Sequence, residues 1–358
     1  MPRRGGWRRR GRKGAFRYEK AAGGRILDEA RLARIEGLVI PPAWTDVWIS
    51  PSASAALQAT GMDAAGRRQY LYHASYRAAQ EQAKYDRLVR FGELLPDLRK
   101  TAARHVQCEP LTPEWTLAHA VTLINRAWFR VGSEQYARTS RTYGVTTLLK
   151  RHASVRGRTL RFTFRAKHRT LVRTTLVDPD LAVGVAELLA LPGGSRLFRF
   201  NDDGAYRNLT GQLLNDYLAE HLGGGFTAKD FRTWGGSLTA AVALAEHGPP
   251  SSETEAKRAI AAAMRRVGEQ LGNTPAVARA SYVSPAVLEQ FRAGRTLEHF
   301  RPRGERALSA GTGRLDLEEE SLLTLLRSWR VRSSRPQATR ISSGEARSRR
   351  RPRGPRRS

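Results

Sequence analysis

The chain has 358 residues, a formal net charge of +29 and one cysteine, Cys108. That length can bury a substantial core and accommodates two domains. The lone cysteine excludes an internal disulfide and a cysteine-built metal cluster. A positive charge this large argues for a polyanionic partner and says little about fold.

Much of the charge sits at the ends. Residues 1–20 carry nine Lys/Arg against Glu19, and residues 327–358 carry twelve Arg against Glu345. Both stretches are rich in Arg, Gly, Pro and Ser, so both are expected to be disordered basic arms. No run of about 18 apolar residues offers a membrane span. The basic start has no apolar stretch behind it, unlike a signal peptide. The chain therefore reads as cytoplasmic. Binding of an arm to a membrane surface would want an amphipathic Trp/Leu face beside it, and none is present.

Residues 21–80 are punctuated by turn signals at Gly23-Gly24, Pro41-Pro42, Gly61 and Gly66. Between them lie β-leaning pieces, VWIS (47–50) and QYLYH (69–73), and one helix is expected near 28–36. From about residue 76 the spacing turns helical. Thr112-Pro113-Glu114 predicts a helix start, with Leu117, Ala120, Val121, Ile124 and Trp128 as its buried stripe. Leu160, Phe162 and Phe164 alternate with Arg161, Thr163 and Arg165, which predicts a β-hairpin with Ala166-Lys167-His168-Arg169 near its tip. Asp178-Pro179-Asp180 and Thr227 with Asp230 are further helix-start signals. The expected organisation is a basic arm (1–20), a β-sheet domain (21–80), a mostly helical domain with a small hairpin (81–305), a short helical extension (306–326) and an Arg-rich tail (327–358). The fold class is α+β.

Five polar residues stand where the apolar pattern does not need them: Arg130, Lys167, Arg232, Asn273 and Tyr282. Each has an ordinary structural reading. Arg130 could pair with Glu134, Lys167 could simply be solvated, Arg232 could pair with Asp230, Asn273 could end a helix, and Tyr282 could line the core. Trp44 and Trp48 read as core, Cys108 as an inert thiol. The eight histidines show no metal-binding spacing.

IPPAWTDVWISP (40–51), LQATGMDAAGRRQYLYH (57–73), KYDRLVRFG (84–92), RVGSEQYAR (130–138), YGVTTLLKRH (143–152), FTAKDFRTWGG (226–236) and LGNTPAVARASYV (271–283) follow one another along the chain. In this order they resemble the type IB DNA topoisomerases of the small bacterial and poxvirus kind, over roughly residues 35 to 300. The resemblance implies a sheet domain and a helical catalytic domain that close as a clamp on duplex DNA. It implies Tyr282 as nucleophile, with Arg130, Lys167, Arg232 and Asn273 as its catalytic partners. By the same resemblance Gln69, Tyr70 and Tyr72 face the major groove and Tyr136 a phosphate. For Tyr70 and Tyr72, shared core burial on one sheet face stays open as the alternative.

The residue types suit that chemistry. A phenol with a pKa near 10 needs help to ionise. Two guanidiniums can grip the nonbridging oxygens of a phosphate bidentately. An amide can donate a hydrogen bond but cannot take up a proton, which leaves the acid work to Lys167. A phosphotyrosine ester keeps the bond energy, so no cofactor, ATP or metal is expected, and no P-loop is present. The chain is expected to act as a monomer. Two departures from the family pattern stand out. The hairpin reads FRAKHR (164–169) where FRGKSG is common, which should stiffen its tip. SASAALQATG (52–61) has Ala56 where a histidine is frequent. Alternatives are a tyrosine recombinase, which usually has histidine at the position of Lys229, and a non-catalytic nucleoid DNA-binding protein.

Overall fold

A computed structural model describes residues 5–302 and 314–329. The N-terminal part is a five-stranded antiparallel sheet of β1 (Trp7–Arg10), β2 (Arg17–Lys20), β3 (Thr45–Ile49), β4 (Leu57–Met62) and β5 (Arg68–Tyr72), in the order β2-β1-β3-β4-β5. Helix α1 (Glu29–Gly37) packs on it. It is opened by Asp28, whose carboxylate accepts the Arg31 N–H at 2.8 Å. Trp7, Ile26, Ile35, Val47, Ile49 and Ala59 form the core between them, with Trp44 partly buried against it.

The first strand pair corrects the expectation of a disordered arm over residues 1–20. Trp7 and Tyr18 bring apolar anchors to this core. The Arg9 guanidinium donates to the carbonyls of Ile40, Pro41 and Trp44 at 3.2, 3.0 and 2.7 Å. Arg10 pairs with Glu19 on the neighbouring strand. An arginine that closes loop carbonyls is a structural residue whatever the local composition suggests. Residues 1–4 lie outside the described residues, as does the tail from residue 330 onward.

The second part is mostly helical. Its elements are α2 (Ala74–His105), α3 (Pro113–Ala127), α4 (Glu134–Thr139), β6 (Ala153–Arg156), β7 (Thr159–Arg165), β8 (Leu171–Val177), α5 (Pro179–Ala190), β9 (Arg199–Asp202), β10 (Ala205–Asn208), α6 (Gly211–Leu222), α7 (Ala228–His247), α8 (Glu253–Leu271), α9 (Pro275–Tyr282), α10 (Pro285–Arg292) and α11 (Leu317–Ser328). The expected hairpin is β7–β8, extended by β6 into a three-stranded sheet. Leu160, Phe162 and Phe164 are buried and their alternating neighbours exposed. A separate ribbon, β9–β10, was not expected.

The expected extension, 306–326, is in part a structural helix. The α11 residues Leu322, Leu323, Leu325 and Leu326 join the same core as Phe91, Leu123 and Trp234. Glu319 fixes α11 there. It is 4% exposed, accepts both Arg99 amino groups at 2.7 Å and accepts Trp234 Nε1 at 3.1 Å. A buried carboxylate is tolerated in a core only when partnered in this way. Arg327 then pairs with Glu93 at 2.8 Å, so the first residues assigned to the tail are ordered.

His152 lies beneath the hairpin. Its ring is buried beside Tyr143, with centroids 4.5 Å apart, and its Nδ1 accepts the Leu149 N–H at 3.1 Å. Burial first, and then Arg151 and Arg196, push its pKa down to about 4. The unfolded imidazole keeps a pKa of about 6.5. Between these values the unfolded chain binds the extra proton, so folding stability falls as pH drops from about 6.5 towards about 4. His152→Asn keeps an acceptor for Leu149 and loses the titration. Its denaturation midpoint, followed across that window, is expected to fall less steeply than that of the unaltered chain. Identical slopes would contradict this account.

Candidate active site

Arg232 is the centre from which the site is built. It lies in the second turn of α7, whose start is closed reciprocally by Thr227 and Asp230 as their spacing suggested. Its side chain is 4% exposed, and Nη1 donates to the Trp128 carbonyl at 2.5 Å while Nη2 donates to the Leu271 carbonyl at 2.7 Å. Those carbonyls belong to the ends of α3 and α8, where helical carbonyls have no partner and the helix dipole is negative. Its Nε–H is buried with no hydrogen-bond partner, which suits an anion's oxygen. Asp230 is taken by Arg87 at 2.6 Å, so the local pairing with Arg232 is not made.

The pair Gly235-Gly236 makes this packing possible. A Cβ on Gly235 would lie 2.2 Å from the Trp128 ring, and one on Gly236 would lie 2.8 Å from the Tyr282 carbonyl oxygen and 2.9 Å from Tyr282 Cβ. Tyr282 is thus seated directly against α7. It is the last residue of α9, which begins at Thr274-Pro275 with the Thr274 hydroxyl accepting the Val277 N–H. Ser237 donates to the Tyr282 carbonyl at 3.2 Å and accepts the Ser284 N–H at 3.0 Å.

The Arg232 guanidinium carbon sits 4.9 Å from the centre of the Tyr282 ring. Burial works against ionisation of this phenol, but Arg232, then Arg130 and Lys229, outweigh it and pull the pKa below the ordinary tyrosine value. Arg232 itself is lowered to about 10, by burial first and then by the like charge of Arg130. Arg232 therefore stays cationic at neutral pH; burial lowers Arg130 as well, and the nearby Tyr282 opposes that shift.

Arg130 follows Phe129, whose ring meets Phe162 and Phe164 edge-on at 5.7 and 5.1 Å. Its carbonyl accepts the Val145 N–H, and Tyr143 N–H in turn donates to the Arg165 carbonyl, both at 2.8 Å. The segment is therefore tied to the hairpin. Arg130 Nη2 donates to Asn273 Oδ1 at 2.6 Å, and Glu134 pairs with Arg196 instead. Asn273 Nδ2 donates to the Leu271 carbonyl at 3.3 Å. The helix end at this point is Gly272, in left-handed conformation, so Asn273 is a bridge between Arg130 and the Arg232 site.

Lys167 is exposed at the hairpin tip. That tip adjoins the site: a Cβ on Gly272 would lie 3.7 Å from Thr170 Cγ2 and 3.9 Å from Arg130 Nη1. Four of the five candidates thus come together, and the fifth is carried on a segment that abuts them.

On the sheet, Tyr70 and Tyr72 are 51% and 40% exposed, which excludes the core reading for both. They stack at 6.2 Å, and Tyr76 in the first turn of α2 stacks on Tyr72 at 5.2 Å. Tyr76 is part of this exposed aromatic row and was missed, because its helical position breaks the alternation that marks a strand. Gln69 donates to Asp63 at 2.8 Å. Tyr136 is exposed on α4.

Two family models match the chain: the eukaryotic DNA topoisomerase I catalytic core over residues 73–297, and the bacterial DNA topoisomerase IB N-terminal domain over residues 15–63. The chain is 31% identical over 269 residues to DNA topoisomerase 1B of Acanthamoeba polyphaga mimivirus, covering 73% of this chain and 80% of that protein. It is 22% identical over 269 residues to DNA topoisomerase 1B of Vaccinia virus (strain Copenhagen), covering 72% and 81%. With the catalytic-core model extending over every candidate from Arg130 to Tyr282, and a relative this similar over most of both chains, the chain belongs to the type IB DNA topoisomerase family.

Proposed function

We propose that this enzyme relaxes positive and negative DNA supercoils through a transient single-strand break, with Tyr282 as nucleophile. The observation that carries the reading is the placement of two arginines about one phenol whose pKa they lower. Family membership favours this over site-specific recombination and over a non-catalytic packaging role.

In the proposed reaction Tyr282 gives up its proton to water and its oxygen attacks the scissile phosphorus. Arg130 and Arg232 stabilise the charge on the nonbridging oxygens. Asn273 holds Arg130 in place and has a second amide hydrogen for the phosphate. As the bond from phosphorus to the 5′ oxygen breaks, Lys167 protonates that oxygen. The products are a 3′-phosphotyrosine ester and a free 5′ hydroxyl, which swivels and then attacks the ester in reverse. Because the ester conserves the bond energy, the cycle requires neither ATP nor metal. Gln69, Tyr70, Tyr72 and Tyr136 contact the duplex, and the sheet and helical parts act as a clamp around it. The Arg-rich ends add sequence-independent affinity through counterion release, consistent with residence on the nucleoid. One chain suffices for this cycle, so sedimentation is expected to give the mass of a monomer; a stable dimer would contradict that.

The direct test is relaxation of supercoiled plasmid in EDTA without ATP. The unaltered enzyme is expected to relax it and Tyr282→Phe to leave it supercoiled while still binding DNA. Relaxation by both would move the nucleophile elsewhere. Gly236→Ala tests the seating of the tyrosine. Its new methyl must displace Tyr282, and single-turnover cleavage is expected to fall by about 10²-fold with DNA affinity kept. Cleavage at the original rate would show that the close approach is unnecessary.

A further inference from the structure

The helix that joins the sheet to the catalytic part reaches both catalytic helices through two cations one turn apart. Helix α2 starts two residues after β5 and carries Tyr76, which stacks on Tyr72 of that strand. Farther along α2, Lys84 Nζ donates to the Ser281 carbonyl at 2.8 Å. Arg87 Nη2 donates to Asp230 Oδ2 at 2.6 Å. Residues three apart lie on one face of a helix, so a single face of α2 touches the residue before Tyr282 and the first turn of the helix that bears Arg232.

We propose that Lys84 and Arg87 are positioning residues for DNA cleavage: Lys84 holds the end of α9, and Arg87 holds the start of α7, so that Tyr282 and Arg232 keep their mutual geometry. The inference rests on the assignment of Tyr282 and Arg232 made above.

Helix α9 has eight residues, and of these only Ala278 is buried. So short a helix with so little apolar anchoring does not fix its own position. Its C-terminal carbonyls lack intrahelical donors. Ser237 takes the Tyr282 carbonyl and Lys84 takes that of Ser281. A cation at a helix C-terminus is also favoured by the dipole. Ser237 belongs to α7, so the end of α9 is held both by the helix of Arg232 and by α2.

Arg87 acts on the other partner. Asp230 Oδ2 accepts Thr227 N–H at 2.9 Å as well as Arg87, so one carboxylate oxygen closes α7 and ties it to α2. The guanidinium also lies 5.3 Å from the centre of the Phe226 ring. The first turn of α7 is thus fixed relative to the face of α2 that holds α9. Displacement of reacting groups by about 1 Å is enough to cost a large factor in rate.

The test compares chemistry with binding. A duplex oligonucleotide that traps the covalent intermediate is mixed with saturating enzyme, and the single-turnover rate is set against the Kd measured at the same salt. K84M and R87M are each expected to slow covalent-complex formation by about tenfold or more with Kd within about twofold. K84R, which keeps a cationic donor, is expected to recover most of the rate. D230N keeps an acceptor for Thr227 but loses the ion pair, and R87M combined with D230N is expected to be no slower than R87M alone. A K84M or R87M rate near that of the unaltered enzyme would overturn the inference. So would a rate loss matched by an equal loss of affinity, which would make these residues DNA contacts, or multiplicative losses in the double variant. Trapping by Y282F would overturn the nucleophile assignment and this inference with it. Should K84M fold poorly, K84R and the R87M/D230N cycle decide the matter.

Discussion

The bond between Arg232 and the ends of two helices governs the geometry of everything around it. Helices α3 and α8 come from distant parts of the chain and finish beside one another, each presenting a carbonyl with no helical donor. One planar guanidinium satisfies both and still has N–H groups to spare. A lysine in its place offers a single ammonium centre and cannot span the two carbonyls in that way. Burial of the cation is costly. The cost is offset by two charge-assisted hydrogen bonds to the negative ends of helices, and the group remains protonated, with a pKa of about 10. The strongest fixed charge of the site is therefore held by the core. Its position does not depend on a mobile surface chain, which is what preorganised electrostatics require.

That charge decides what kind of tyrosine Tyr282 is. Tyr217 offers a comparison within the same molecule. It too is buried, and burial first and then the Glu220 carboxylate push its phenol up, with Arg104 opposing them only in part. Tyr282 has burial acting in the same upward direction, yet Arg232 and Arg130 reverse the outcome. Burial alone would have produced a structural tyrosine in both places. The difference lies in the sign of the charge set beside each phenol, Glu220 of its own helix for Tyr217 and Arg232 with Arg130 for Tyr282, and the Gly235-Gly236 pair is what lets Tyr282 sit against α7.

Features encoded by local chemistry were legible in the sequence. The Thr112 and Thr227 helix starts and the 160–164 alternation depend on neighbours within a turn or a strand, and all three appear in place. The convergence of residues 130, 232, 273 and 282 depends on tertiary packing. No spacing announces it, and only the resemblance to a family did. The N-terminal strand pair was missed for a related reason. Its composition is that of a disordered segment, and what orders it is Arg9 reaching carbonyls more than thirty residues away. The ribbon β9–β10 and the strand β6 are four residues each, too short for an alternating pattern to emerge.

The hairpin tip shows how a departure from family pattern is absorbed. The family resemblance implies glycines at this tip, FRAKHR has none, and the expectation was a stiffer tip. The backbone nevertheless turns through the conformation that glycine favours: His168 and Arg169 adopt φ of +61° and +59°. Non-glycine residues pay for that region in steric energy, of order 1–2 kcal/mol per residue. The turn is closed by the Ala166 N–H donating to the Thr170 carbonyl at 2.8 Å, and by Ala166 and Phe164 buried beneath it. Lys167 thus rides on a turn whose shape is imposed from its base. This tip therefore has fewer accessible backbone states than a glycine turn would have, and it stands over Gly272, where a Cβ would lie 3.7 Å from Thr170 Cγ2 and 3.9 Å from Arg130 Nη1.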